Sequence, residues 1–251
     1  MDKILEVKNL KKVFYKDKKP FPAVDSLSFF LEKGECLGLV GESGCGKSTA
    51  AKILTRLLEP DEGSILLDGR EILSMKGREL KEFYAKVQMV FQSPQDSFDP
   101  RRTLGDGIME SMRNRGLGKT EAKKRMYSLL EMTELSPEIA GRYPHEVSGG
   151  QCQRAAIART LAIEPELIIC DEATSALDVA VQAQIVELLK KLQRGMGLSL
   201  LLICHDLALV QAMCHRVLVM YEGRIVEEGI PDEIIKNPKE EYTRILIDSV
   251  F

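Results

Sequence analysis

The sequence has no apolar run long enough to span a membrane. Such a helix needs ~18–20 apolar residues, and Leu200 to Cys204, one of the longest runs, has only the length of a strand. Near the start, charges at Asp2, Lys3 and Glu6 leave no room for the apolar core of a signal peptide. We therefore expect a soluble, cytoplasmic protein.

Metal-binding and disulfide patterns are also absent from the sequence. The six cysteines form no CxxC pair and no Cys/His cluster with the spacing of metal ligands. Several of them stand in apolar runs, where a reduced cysteine serves as a small core residue. We therefore expect neither a structural metal nor a disulfide framework.

Neither sign of charge is in excess. The 251 residues contain 35 Lys and Arg against 38 Asp and Glu, for a net charge of −3. With 44% apolar residues, this balance excludes a disordered chain. It also argues against nucleic acid as a partner, because such proteins carry a basic excess or a basic stripe. The length suits one large domain or two small ones.

Apolar and helical patterns predict an α/β fold with a mostly parallel sheet, because strands alternate with helices at both ends of the chain. Between residues 93 and 161 the pattern is helical, which indicates an inserted helical subdomain. The Lys- and Pro-rich stretch Lys16–Pro22 is predicted to be a loop. Strands are predicted at Ile4–Val7, Val24–Leu31, Cys36–Val40, Ser64–Leu67, Val87–Phe91, Leu167–Cys170, Ser199–Cys204, Val217–Met220 and Arg224–Glu227. Helices are predicted at Ser48–Leu58, Leu104–Met112, Thr120–Thr133, from Ser148 onward, and at Val179–Leu192, Leu207–Cys214 and 237–251.

A glycine-rich loop follows the predicted strand Cys36–Val40 and matches the pattern G-x-x-x-x-G-K-[ST]. Glycines let the backbone curl so that several N–H groups face one anion, and the helix that follows adds partial positive charge. The lysine can reach β- and γ-phosphates, and the serine hydroxyl can ligate Mg²⁺. This phosphate loop comprises Gly41, Glu42, Ser43, Gly44, Cys45, Gly46, Lys47, Ser48 and, placed for an α-phosphate, Thr49.

Two acidic residues follow the predicted strand Leu167–Cys170. Ligands of parallel sheets bind at the carboxyl ends of the strands, which is where Asp171 and Glu172 emerge. We expect Asp171 to hold Mg²⁺, directly or through water. Glu172 is the candidate base that orients and polarises an attacking water.

A third motif places the chain near a known family. Val147 precedes Ser148, Gly149, Gly150 and Gln151, which open a predicted helix. This segment resembles the LSGGQ signature of ABC ATPases, with Val in place of Leu. Its helix N-terminus forms a second anion site. The resemblance implies a head-to-tail dimer, in which the phosphate loop of one subunit and the signature segment (residues 148–151) of the other clamp one ATP.

Further positions match the landmarks of ABC ATPases in order. Gln92 matches the glutamine that meets Mg²⁺ and the attacking water, and His205 matches the switch histidine at the γ-phosphate. Residues 175–178, which end at Asp178, match the D-loop at the dimer seam. Phe14 stands where the family places the aromatic that stacks on adenine, and Tyr15 is the alternative. The resemblance covers Leu5 to about Gly229 and implies an α/β P-loop NTPase fold whose core comprises residues 1–92 and 162–251. It also implies an N-terminal antiparallel portion and an inserted helical subdomain at 93–161.

Three other segments resemble the corresponding segments of ATPase subunits in importers of oligopeptides, dipeptides, nickel or nickel chelates. They are 89–92 with 97–101, 142–146, and the ending with Pro238, Tyr242 and Arg244. The implied partners are a second, related but different ATPase subunit, two membrane permeases and, indirectly, an extracytoplasmic solute-binding protein. The chain would then act at the cytoplasmic face of the membrane. An exporter ATPase, a DNA-clamping ABC ATPase and a translation factor with two nucleotide domains are the alternatives. The missing heptads and basic stripe disfavour the second, and the single set of motifs disfavours the third.

Overall fold

Two β-sheets organise the part of the chain that the computed structural model describes, residues 2–16, 19–173 and 177–248. The antiparallel sheet contains β1 (Lys3–Lys16), β2 (Lys19–Glu32), β4 (Glu62–Leu67) and β5 (Arg70–Glu71). The other sheet contains β3 (Cys36–Val40), β6 (Val87–Val90), β7 (Leu167–Asp171), β8 (Ser199–Cys204), β9 (Arg216–Tyr221) and β10 (Arg224–Gly229). Their orders are β2-β1-β4-β5 and β10-β9-β3-β8-β7-β6.

Helices cover the second sheet and fill the middle of the chain. They are α1 (Lys47–Leu54), α2 (Gly77–Lys86), α3 (Leu104–Asn114), α4 (Lys119–Met132), α5 (Gly149–Leu161), α6 (Val179–Met196), α7 (Leu207–Met213), α8 (Pro231–Lys236) and α9 (Glu241–Asp248). Within the described residues, none of these helices combines the length and the apolarity that crossing a bilayer demands.

The second sheet is parallel from β9 to β6, and its central strands are fully covered. Every residue of β3, β7 and β8 is buried, which explains why these strands are continuous apolar runs in the sequence. Val40 pairs with Cys204 and Asp171 with Ile203. The carboxyl ends of the three strands therefore lie at one edge, where the phosphate loop, Glu172 and His205 follow them.

The segment between β6 and β7 is helical, as predicted. Within the described residues 93–161, α3, α4 and α5 follow one another without a strand, and two short 3₁₀ turns, Pro137–Gly141 and Pro144–Glu146, connect α4 to α5. Leu104, Ile108, Met126 and Ile157 are buried together in one apolar cluster. The same cluster includes Val40 and Val90 of the sheet, so the helical segment packs continuously against it.

The predicted loop Lys16–Pro22 is wrong. Residues 19–22 belong to β2 and pair with β1 in a long hairpin, where Tyr15 faces Pro20 and Val13 faces Pro22. Proline lacks a backbone donor and suits an edge strand, and β2 is the edge of its sheet. Lys19 and the two prolines therefore belong to an exposed edge strand, while residues 17 and 18 of the predicted loop lie outside the described residues.

The single helix predicted for 237–251 is also wrong in extent. The described ending contains α8, a non-helical stretch through Pro238, and α9 from Glu241. Proline disfavours a helical conformation in the residue before it, and Asn237 leaves α8 with a φ of −137°. The helix α2 was not predicted, because only Phe83 is buried along it and its apolar periodicity is weak.

Candidate active site

The phosphate loop lies tightly against two neighbouring strands. A Cβ atom on Gly46 would stand 1.9 Å from the Ala23 carbonyl oxygen, and one on Gly41 would stand 2.2 Å from that of Met220. Gly46 also has a φ of +111°, in the left-handed region that favours glycine. The glycine pattern is therefore required by close backbone contacts as well as by the curl of the loop.

Lys47 is folded into the loop that it follows. Its Nζ donates to the carbonyl oxygens of Gly41 and Glu42, at 2.7 Å each, and the residue is 4% exposed. A buried ammonium needs such partners, because desolvation of an unpaired charge is costly. The lysine charge thus lies in the centre of the loop, where phosphate oxygens can replace the two carbonyls.

Ser48 and Asp171 meet across the edge of the sheet. The Ser48 Oγ donates to the Asp171 Oδ1 at 3.0 Å, and Asp171 is 6% exposed. Burial raises the pKa of Asp171, while the Ser48 hydrogen bond opposes this change. A buried carboxylate beside a hydroxyl supplies the hard oxygen donors that Mg²⁺ prefers.

Glu172 and Gln92 form a second pair at the same edge. The Gln92 Nε2 donates to the Glu172 Oε2 at 2.7 Å. Glu172 adopts a φ of +47° and donates its N–H to the Ile203 carbonyl at 2.9 Å. A left-handed glutamate costs about 1–3 kcal/mol and persists only where its surroundings hold it. The fold therefore stabilises a strained conformation that directs this carboxylate to Gln92.

His205 follows β8 directly and is exposed at the edge that holds the two acidic residues. Asp178 caps α6, since its carboxylate accepts from the Val181 N–H at 3.0 Å. Residues 175 and 176 of the predicted D-loop lie outside the described residues. His205 thus lies just after the carboxyl end of β8, and Asp178 lies at the N-terminus of α6.

The signature segment forms a capped helix start apart from the phosphate loop. The Gln151 N–H donates to Ser148 Oγ at 3.3 Å, and the Ser148 N–H donates to Gln151 Oε1 at 3.0 Å. Ser148 and Gly149 are exposed, while a Cβ on Gly150 would stand 2.6 Å from Val181 Cγ1. Among the described residues, no hydrogen bond joins this segment to the phosphate loop. The exposed start of this helix is thus accessible to an anion from outside the chain.

An open cavity of about 790 Å³ lies beside the phosphate loop. Phe21, the Asp25–Arg224 ion pair, residues 42–45 of the loop and the turn at 221–223 line it. Phe14 pairs directly with Phe21 across the β1–β2 hairpin, and Tyr15 pairs with Pro20. Sequence reasoning missed Phe21, because the segment that contains it was predicted to be a loop. Residues 19–22 are all exposed, so no alternation marked them as a strand.

Known proteins are similar to this chain in sequence and in fold over most of its length. A family model described as "ABC transporter" matches residues 24–175. The oligopeptide transport ATP-binding protein OppF of Bacillus subtilis is 48% identical over 99% of this chain and 83% of its own length. The glutathione import ATP-binding protein GsiA of Salmonella paratyphi A is 51% identical over 91% of this chain and 37% of its own length. A solved dimeric, post-hydrolysis state of the ATP-binding cassette MJ0796, bound to ADP and Pi, superposes with a TM-score of 0.83. It is 29% identical and covers 90% of this chain and 98% of that one.

Proposed function

Because this chain belongs to the ABC transporter family and is the ATP-hydrolysing subunit of an importer, we propose that it drives the uptake of oligopeptides across the cytoplasmic membrane. ATP hydrolysis by this chain is supported by the polar side chains that meet at the end of β7. There Asp171 bonds to Ser48, and Glu172 bonds to Gln92. The names of OppF and GsiA favour a peptide over nickel or a metal chelate as the solute. They also speak against the exporter alternative.

ATP binds in this proposal with its phosphates in the loop at 41–49. Lys47 leaves the carbonyls of Gly41 and Glu42 and contacts the β- and γ-phosphates. Thr49 meets the α-phosphate. The adenine lies by the hairpin aromatics, with Phe14 as the stacking residue and Phe21 beside it, next to the cavity that the loop lines.

The oxygen donors at this edge fit Mg²⁺. Ser48, Asp171 and Gln92 would hold the ion, because a buried carboxylate, a hydroxyl and an amide oxygen are ligands that Mg²⁺ accepts together with phosphate oxygens and water. When bound, Mg²⁺ neutralises charge on the β- and γ-phosphates. The raised pKa of Asp171 agrees with a carboxylate built to meet a cation.

Hydrolysis begins with a water beside Glu172. The Glu172 carboxylate accepts a proton from this water as the water oxygen attacks the γ-phosphorus, and the bond to the β-phosphate oxygen breaks to release ADP and inorganic phosphate. Gln92 holds the carboxylate in place at 2.7 Å. His205 contacts the γ-phosphate from the adjacent strand end.

The second half of the site comes from another subunit. Ser148, Gly149, Gly150 and Gln151 of that subunit approach the γ-phosphate, and Asp178 lies at the seam. Each charge-assisted hydrogen bond to the γ-phosphate contributes about 1.5–3 kcal/mol. When hydrolysis and phosphate release remove these bonds, the equilibrium between the closed and the open dimer shifts toward the open dimer by orders of magnitude. We propose a related but different ATPase subunit as the partner.

The helical segment transmits this motion to the permeases. It starts after Gln92 and ends with the signature helix α5, and the Arg159 side chain of α5 donates to the Ser97 carbonyl. A groove of about 160 Å³ lies where α5 meets β6, and Tyr84, Phe91 and Arg159 are among the residues that line it. We propose that a helix of a membrane permease docks there. Residues 93–161 thus act as a subdomain of a core formed by 1–92 and 162–251, at the cytoplasmic face of the membrane.

Reconstitution tests the proposal. The chain is assembled with its candidate partner ATPase and two permeases in proteoliposomes that enclose ATP and Mg²⁺. A labelled oligopeptide is then added outside with the solute-binding protein, and labelled Ni²⁺ is added in a parallel sample. We expect peptide to accumulate inside and to stimulate phosphate release. Uptake of Ni²⁺ alone would refute the solute assignment, and efflux of peptide from preloaded vesicles would refute import.

A further inference from the structure

The C-terminal helix reaches the phosphate loop. The Glu42 N–H donates to the hydroxyl of Tyr242, in α9, at 2.8 Å. The carbonyl of the same residue accepts from Lys47 Nζ at 2.7 Å and from the Cys45 N–H at 3.3 Å. Glu42 is thus held from inside by the loop lysine and from outside by a tyrosine that lies 200 positions away in the sequence.

Tyr242 is packed against a second tyrosine that borders the loop. Its ring centroid lies 4.2 Å from that of Tyr221, with an interplanar angle of 32°. Tyr221 ends β9 and leads into the turn where the Gly223 N–H donates to the Cys45 carbonyl at 2.9 Å. The ring of Tyr242 therefore has a fixed orientation from which its hydroxyl meets Glu42.

The start of α9 is anchored by a buried carboxylate. Glu227, in β10, is 7% exposed and accepts from the N–H groups of Lys239 and Glu240 at 2.9 and 3.2 Å. Arg244 donates back to the carbonyls of Pro238 and Lys239, at 3.3 Å each. The ending motif, to which the catalytic scheme gives no role, therefore builds a turn that presents Tyr242 to the phosphate loop.

We propose that Tyr242 is a positioning residue for ATP binding, which holds the Glu42 peptide in the conformation that receives the phosphates. The inference rests on the proposed assignment of Lys47 to the β- and γ-phosphates. When Lys47 moves to the nucleotide, the Glu42 carbonyl loses the shorter of its two inner hydrogen bonds and keeps that from the Cys45 N–H, whereas the bond from the Glu42 N–H to Tyr242 lies outside the loop and persists. Without it, the first peptide units of the loop would be ordered only at the moment of binding.

The variant Tyr242→Phe tests this role, because it keeps the ring packing on Tyr221 and removes only the acceptor of the Glu42 N–H. One neutral hydrogen bond corresponds to about three- to tenfold in affinity. We expect the Kd for mant-ATP with Mg²⁺, measured with the full chain, to rise by that factor. Because Tyr242 does not touch the reacting atoms, kcat in the assembled complex should stay within about twofold. Amide exchange in the loop at 41–46 should become faster.

The matched control is Tyr127→Phe, which removes the hydroxyl of an exposed tyrosine in α4 and should change none of these quantities. An unchanged Kd and an unchanged exchange rate in Tyr242→Phe would overturn the inference. A fall in kcat and in melting temperature without a selective rise in Kd would also overturn it, since this pattern indicates a purely structural tyrosine. If the unaltered chain did not bind mant-ATP, the nucleotide-site assignment itself would be refuted, and the inference with it.

Discussion

Replacing Glu172 by Gln isolates its proposed role as the base. The variant keeps a side-chain oxygen that can accept from Gln92 Nε2, and the backbone bond from residue 172 to Ile203 is untouched. Glutamate and glutamine have the same shape and bear the left-handed backbone at this position equally. The substitution thus removes the ability to accept a proton and leaves the surrounding geometry unchanged.

The expected size follows from this separation. General-base catalysis contributes about 10²–10⁴-fold, so the hydrolysis rate should fall by that factor, which corresponds to ~3–5 kcal/mol at the transition state. The Kd for ATP should change by less than about twofold, because Lys47 and the loop amides are unaltered. A change of at most ~0.5 kcal/mol in folding stability would shift the melting temperature by less than about 2 °C. ATP should therefore remain bound between two subunits.

Phosphate release measures the first effect, and gel filtration with ATP and Mg²⁺ measures the trapped dimer. The matched control is Glu164→Gln, since Glu164 also has a left-handed φ, of +55°, but precedes β7 at the opposite end of the strand. It should hydrolyse ATP at the normal rate. If Glu172→Gln retained more than about a tenth of that rate, Glu172 would not be the base, and His205 would become the leading candidate.

Lys47→Ala removes the ammonium that two loop carbonyls hold. Since two charge-assisted bonds to the phosphates are lost, mant-ATP affinity should fall by about 10²–10⁴-fold. Near-normal binding would contradict the loop assignment, and Lys52→Ala on the same helix is the control. Asp171→Asn should raise the melting temperature of the nucleotide-free chain at pH 7. The pKa of Asp171 is raised in the folded chain, so its ionisation destabilises the fold. This cost is absent below the ordinary pKa of 3.8, grows as the pH rises toward the native pKa and is complete above it. The variant and the parent should therefore converge in stability below pH 3.8. The same change should abolish stabilisation by Mg²⁺ and ATP, and a nucleotide-free variant less stable than the parent at pH 7 would oppose this reasoning. Gly150→Ala should leave ATP binding by one chain intact but lower hydrolysis by about tenfold, because its Cβ would stand 2.6 Å from Val181 Cγ1 and displace the signature segment. The control is Gly118→Ala, whose Cβ meets nothing within 4 Å. Equal hydrolysis in both variants would argue against the signature segment as half of the site.

Local sequence patterns were sufficient to predict the parts of the site that follow the central strands of the parallel sheet. Cys36–Val40 and Ser199–Cys204 were predicted with their observed bounds, because a strand buried on both faces is a continuous apolar run that ends where the sheet ends. The phosphate loop after β3, and Asp171 and Glu172 at and just after the end of β7, follow from such strand ends. Ser48 and Asp171 were therefore both expected at a Mg²⁺ site, but their contact across 123 positions depends on the strand order, which no local pattern encodes.

Contacts between distant segments could not be predicted from local patterns. The Gln92–Glu172 pair spans 80 positions and the Glu42–Tyr242 pair spans 200, and no periodicity encodes either of them. The role expected for Gln92 came from a family resemblance. Phe21 was missed because it stands among lysines and prolines at the exposed start of an edge strand, where residues 19–22 show no alternation of buried and exposed positions.

The phosphate loop is held from outside by several elements that take no part in the chemistry. Ala23 and Met220 confine its glycines, Gly223 bonds to Cys45, and Tyr242 bonds to Glu42. Lys47, by contrast, is held from within the loop, by the carbonyls of Gly41 and Glu42 and by a longer contact to Cys45 Sγ, and in our proposal it leaves the carbonyls when a triphosphate enters. In the proposed mode of ATP binding, the inner bonds are exchanged and the outer ones are kept, so the outer contacts would determine how much of the loop is ordered before ATP arrives. Changes at these contacts should therefore act on Kd, whereas changes at the strand end that contains Glu172 should act on kcat, and the two groups of variants should be additive because they share no hydrogen-bond partner.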